Sequence, residues 1–140
     1  MANIISIQIL TDGPRNTTVK LAGILDTADV GVSDLVSPAA LQPIDAYGSL
    51  ATRLIIDKIS YNIEAGLAVN LFWDATSDDL IASLVSSGDD LEFKKFGGVY
   101  CPESAGTTGK IQYSTQGWSA SAVLAFNVVL ELRKSRPGLT

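Results

Sequence analysis

Proton transfer, nucleophilic attack and metal binding each need particular side chains, and this sequence holds few of them. It contains no histidine. That removes the side chain that titrates nearest neutrality, the usual partner of a Ser or Cys nucleophile, and the commonest metal ligand. The single cysteine, Cys101, stands between Tyr100 and Pro102 with no basic neighbour to activate it, and reads as a small half-buried hydrophobe. Ser104-Ala-Gly-Thr-Thr-Gly109-Lys110-Ile111 has the outline of a phosphate-binding loop. It lacks the opening Gly and the Ser or Thr after the Lys, and a strand pattern follows where the phosphate-holding helix should begin.

The carboxylates are more numerous. Asp74, Asp78 and Asp79, then Asp89, Asp90 and Glu92, could supply oxygen ligands to Ca²⁺, but their spacing fits no EF-hand loop. Paired carboxylates also hydrolyse glycosides, yet these lie in turn-like segments with no cleft implied, so they read as solvated turns. Asn16-Thr17-Thr18 is a formal N-glycosylation acceptor that matters only in a secreted chain. Of the aromatic residues that could stack on a sugar, Trp73 shares a strand face with Leu67, Val69 and Leu71 and belongs to a core. Trp118, beside Gly117, is freer to meet a partner. Arg133, Lys134 and Arg136 make a basic end on an acidic chain, suited to a solvated strand terminus or to an acidic neighbour.

The elements that must position these residues read as strands. Ile5, Ile7 and Ile9 alternate with polar residues; Val19, Leu21, Gly23 and Leu25 do the same after the turn residues Asp12-Gly13-Pro14. The central stretch Thr52 to Asp74 carries two alternating runs on either side of Glu64-Ala65-Gly66, which predicts an antiparallel hairpin. In its first run Leu54 and Ile56 fall on the opposite parity from Ile59, Tyr61 and Ile63. One extra residue near Asp57-Lys58, a β-bulge, reconciles them. Residues 78–87 fit either a strand or a helix capped by Ser77, with the strand favoured by its β neighbours. Ile111, Tyr113 and Thr115 form a further strand, and Leu124, Phe126, Val128, Leu130 and Leu132 mark the last.

Between Thr27 and Gly48 the period is lost. Only Ser37-Pro38-Ala39-Ala40-Leu41 could open a short helical turn. Val30, Val32, Leu35, Val36, Leu41 and Ile44 argue against disorder, so the segment reads as an arm packed on its own sheet or on a neighbouring subunit. The expected architecture is all-β: one antiparallel β-sandwich or jelly roll spanning 1–140, with the irregular arm at 27–48 and a polar tail at 134–140.

Composition narrows the partners. The chain has 140 residues, 46% hydrophobic and only 18% charged, with a net charge of −5. Such a balance gives no general attraction to nucleic acid or anionic lipid, and its apolar character suits either surfaces covered by neighbours or a two-layer β core built from many Ala, Val and Ile. The expectation is a chain made in the cytoplasm, since Met-Ala-Asn-Ile-Ile-Ser-Ile-Gln has no basic leader region and no segment reaches the roughly 20 apolar residues of a membrane helix.

Several phrases resemble a family of small structural proteins of tailed-phage virions. They are Ala51-Thr-Arg-Leu-Ile-Ile-Asp-Lys-Ile, Gly66-Leu-Ala-Val-Asn-Leu-Phe-Trp-Asp-Ala-Thr, Lys20-Leu-Ala-Gly-Ile-Leu-Asp-Thr, Phe96-Gly-Gly, Thr108-Gly-Lys-Ile and Thr115-Gln-Gly-Trp. The resemblance implies a capsid cement or decoration protein with a β-sandwich core, bound to the major capsid protein lattice on the outer capsid surface of a virion. It implies a homo-oligomer (trimer or dimer), no cofactor, no metal and no catalytic residue. Contacts are expected from Val30, Val32, Leu35, Val36, Leu41, Tyr100, Trp118, Arg133, Lys134 and Arg136. The alternative is a carbohydrate- or receptor-binding β-sandwich module of a phage tail or fibre, with Trp118 or the acidic turns exposed. An enzyme is not expected.

Overall fold

The computed structural model describes residues 3–102, 105–119 and 122–135, apart from the side chains of residues 86 and 87. Eight strands follow in order: β1 (Ile4–Asp12), β2 (Asn16–Leu25), β3 (Ser33–Val36), β4 (Arg53–Trp73), β5 (Asp79–Glu92), β6 (Val99–Tyr100), β7 (Ile111–Gln116) and β8 (Leu124–Ser135). All their pairings are antiparallel. The path across the sheet runs β1-β2-β8-β4-β7-β3, with β5 and β6 on the other edge of β4. No helix among the described residues is long and apolar enough to cross a membrane.

The central stretch is not a hairpin. β4 is one strand of 21 residues, far longer than the common five or six. Its first half, Arg53 to Ile63, pairs with β8. Its second half, Ala68 to Trp73, pairs with β7. The two halves do not pair with each other; β5 runs beside both, and Ile63 to Ala68 is spanned opposite Ser87 to Val85. The excess residues on β4 therefore fold a two-stranded ribbon over. Gly66, at φ 89°, supplies the left-handed backbone for this bend. Beyond the bend the strand returns, so that Gly109, just before β7, packs against the carbonyl of Thr52, just before β4.

Folding the ribbon turns one sheet into a sandwich with a single core. β2 presents Thr17, Val19, Leu21, Gly23 and Leu25 inward, and β8 presents Phe126, Val128, Leu130 and Leu132. Val69, Leu71, Trp73, Ile111 and Tyr113 from the far half join the same cluster. At Gly23 the missing Cβ leaves the space that the Phe126 ring occupies. The bulge expected near Asp57 is present: Ile56 faces Leu132 while Lys58 faces Glu131, leaving Asp57 as the extra residue. Residues 79–92 are strand, not helix.

The segment 27–48 is more ordered than its lost period implies. β3 lies within it and pairs with β7. Pro38–Ala40 forms one 3₁₀ turn with Pro at its start, although the Ser37 side chain makes no cap bond. Leu35, Val36 and Leu41 are buried in the chain's own core, so they are not offered to a partner as expected. Four residues cannot show a convincing alternation, which is why β3 escapes a sequence reading. The tail also starts later than 134, because β8 continues through Ser135. Residues 136–140, with the expected contact residue Arg136, lie outside the described residues, as does Ser104.

Candidate interaction surface

β8 ends with two cations on opposite faces, and both are tied down. Lys134 continues the inward parity of Phe126 to Leu132 and has a fully buried side chain, against 17% exposure for that of Asp12. Its ammonium donates to Asp12 Oδ1 (2.5 Å), to the Gly13 carbonyl (2.6 Å) and to the Gln42 carbonyl (2.9 Å). A Lys ammonium has three protons and no acceptor capacity, so these three partners satisfy it completely. Burial pushes the Asp12 carboxyl upward, but hydrogen bonds from Lys134, the Gln42 N–H and Thr17 outweigh it and hold the group below the ordinary value of 3.8. Lys134 is therefore a fastener between the β1–β2 turn and the segment 37–42, and not the docking contact expected of it.

Arg133 takes the outer parity. Its Nε donates to both oxygens of bulged Asp57 (2.8 and 2.9 Å), and Nη2 donates to the Gly97 carbonyl (2.5 Å). Asp57 follows inward-facing Ile56 and so lies on the outer face with Ile55 and its cross-strand partner Arg133. The pair then pins the loop between β5 and β6. In that loop Phe93 N–H donates to the Asp57 carbonyl, and Phe96 and Gly98 N–H to the Phe93 carbonyl.

Around this doubly fastened end the chain exposes its aromatic side chains. Phe96 is 82% exposed and Tyr100, on β6 beside Ile55, is 61% exposed. Tyr47 is 94% exposed, in a loop that leaves at Gln42 beside Asp12 and returns at Thr52 beside Ser135. The other described aromatic residues are buried or half-buried. Exposed Arg15, Lys94 and Lys95 lie toward the same end, with the carboxylates of Glu92 and Glu131 in the hollow beside Lys94. A cleft of about 370 Å³ among the described residues is lined by Arg15, Asn16, Ile55, Tyr100 and Arg133.

The remaining expected contacts are scattered. Val30 is half-buried on the core, and its N–H donates to Thr115 Oγ1 at 2.7 Å. Val32 is exposed. Trp118 is half-buried: its N–H donates to Asp29 and its indole N–H to the Ala122 carbonyl at 3.0 Å. Those bonds commit Trp118 to closing its own loop. Tyr47 and Phe96 were invisible as site residues because a lone aromatic in a loop gives no pattern; only their exposure on loops anchored at the end of β8 singles them out.

No group of acidic, Cys or His side chains with metal-site geometry occurs among the described residues. A second open hollow, of about 550 Å³, lies on the outer face of the sheet against Ser60, Tyr61, Asn62, Asp89, Asp90 and Asn127. Its polar groups are half-buried or exposed.

No family model and no curated protein matches the chain. Among solved structures, a chain described as "CBM4 structure and function" is similar at TM-score 0.32 and 8% identity, over 89% of this chain and 91% of that one. A likeness of this degree adds nothing on function, and the all-β architecture rests on the strand pairing itself.

Proposed function

We propose that this chain is a structural assembly protein that works through its surfaces, and specifically a cement or decoration protein on the capsid lattice of a tailed phage. The observation that carries the first half is the end surface of Tyr47, Phe96 and Tyr100 with Arg15, Lys94 and Lys95. Exposed aromatic rings flanked by cations resemble the anchors of protein interfaces, where aromatic residues and Arg dominate the energetics. They stand on loops held by Lys134–Asp12 and Arg133–Asp57, so little order has to be gained on docking. The virion assignment rests on the sequence phrases from Lys20 to Trp118. Its mechanism would be mass action: binding the closed lattice and not the loosened one favours the closed form, and contacts repeated by symmetry add.

The test is a comparison of particles with and without this chain. Particles lacking it should lose genome at lower temperature or lower salt, and added purified protein should restore resistance. A triple Tyr47→Ala/Phe96→Ala/Tyr100→Ala variant should fail to restore it while unfolding normally. Unchanged particle resistance without the chain would refute the reading.

A second reading, binding of a carbohydrate, is favoured by the outer-face hollow, whose amides, hydroxyls and carboxylates can pair with sugar hydroxyls around Tyr61. Saturable binding on a glycan array that is lost in Asn62→Ala/Asn127→Ala would select it over the assembly role.

A further inference from the structure

The sandwich has edges, and they are protected unequally. β3 is four residues long and carries Asp34, while β6 has only two residues. β5 exposes Leu80 and Val85, but it carries Asp79, Asp89, Asp90 and Glu92 at its ends and its register against β4 is twice interrupted. Charges, short strands and bulges are the devices that keep open edges from pairing with other chains. β1 pairs only with β2 and is regular from Ile4 to Ile9, and no charged residue occurs before Asp12. Ile4, Ile7, Ile9 and Leu10 are 43–55% exposed there, and Ile24 adds 41% beside Ile4. An edge this apolar, uncharged and straight is either an aggregation hazard or an interface.

Its sequence is self-complementary about Ile7. Laid antiparallel on a second copy with a two-fold axis through Ile7, the strand sets Ile5 opposite Ile9 of the other copy and Ile7 opposite its own equivalent. On the outer face Ser6 meets Gln8; the regular stretch ends at Ile9, where the register shifts and Leu10 is the extra residue. Residues directly opposite in an antiparallel pair share a face, so the core sides of both sandwiches stay together and the polar residues face out together. An isologous contact of this kind closes after two copies. It leaves no free β1 edge for growth into a filament. This strand brings two copies together without opposing like charges.

We infer that two copies of this chain pair through β1, antiparallel about Ile7, to form a dimer with a continuous sheet. Pairing over the regular stretch from Ile5 to Ile9 would add roughly four to six backbone hydrogen bonds. The contact is small beside the roughly 1,600 Å² of a standard interface, so the dimer should dissociate on dilution. The inference stands apart from the capsid reading, because it concerns the free protein.

Sedimentation equilibrium of the purified protein across a wide concentration range tests it. Wild type should pass from monomer to dimer and no further. Ser6→Lys/Gln8→Lys, whose side chains are exposed on the outer face, places lysines directly opposite each other and should weaken the dimer at least tenfold. Ser6→Glu/Gln8→Glu should behave alike, and an equimolar mixture of the two variants should restore the dimer. Unchanged thermal unfolding of diluted samples would show that both variants keep the monomer fold. A wild type that stays monomeric, a trimer, or a dimer indifferent to these charges would overturn the proposal.

Discussion

Lys134 and Asp12 form an ion pair whose ammonium side chain is fully buried. A buried ammonium is tolerable only while its partners remain, and removing one leaves an uncompensated charge in the interior. Asp12→Ala should therefore lower unfolding stability by about 3–5 kcal/mol in denaturant titrations. Lys134→Met should cost less, because it removes the buried charge and leaves Asp12 with the Gln42 N–H, the Thr17 hydroxyl and some solvent. The pH dependence follows from the same carboxylate. Its midpoint in the folded state lies below the ordinary 3.8, so its contribution is present above that value and lost as pH falls through the lower, folded-state midpoint. The Asp12 carboxyl carbon, followed by NMR in an acid titration, should show that depressed midpoint. Alternation along β8 identifies Phe126 to Leu132 as inward-facing, and the same parity carried two residues further reaches Lys134. What hides its role is residue type: a Lys near a chain end normally signals solvent, and only the carbonyls of Gly13 and Gln42, distant in sequence, overturn that.

At the scale of the elements, the bend in β4 decides the architecture. Gly66 bends into open space, but Gly117, at φ 101°, is pressed against the Gly66 carbonyl with no room for a Cβ. Gly66→Ala should cost about 1–2 kcal/mol for left-handed backbone alone. Gly117→Ala should cost more than that in the same thermal or chemical melts, since strain and collision coincide. Equal losses would mean that the fold-over does not depend on this contact. The alternating runs and the bulge at Asp57 are local properties, written in the parity of Leu54, Ile56, Ile59 and Ile63, and so they are legible. Whether Glu64-Ala65-Gly66 closes a hairpin or folds a ribbon is not local. It depends on β5 lying alongside both halves, and β5 itself, with Ser77 and two aspartates before an apolar run, resembles a helix start as much as a strand.

For the whole molecule, the division is between a tightly bonded body and surfaces that remain to be covered. The apolar residues expected in the arm at 27–48 went into the body, because Leu35, Val36 and Leu41 close the core under β7. Two groups of exposed apolar side chains lie on β1 and around the end of β8, while Val32, Leu80, Val85 and Val123 stand apart. Substituting Tyr47, Phe96 and Tyr100 by Ala should leave unfolding stability nearly unchanged, since changes at exposed positions are usually within about 0.5 kcal/mol. The same variant should weaken capture by particles at least tenfold if these rings anchor the contact. The central claim is that this chain sits on a capsid lattice, and imaging virions that carry a labelled copy tests it most directly. The account predicts label at regularly repeated positions on the outer capsid surface, lost with the aromatic triple variant. Label on the tail, or none on the particle, would contradict it.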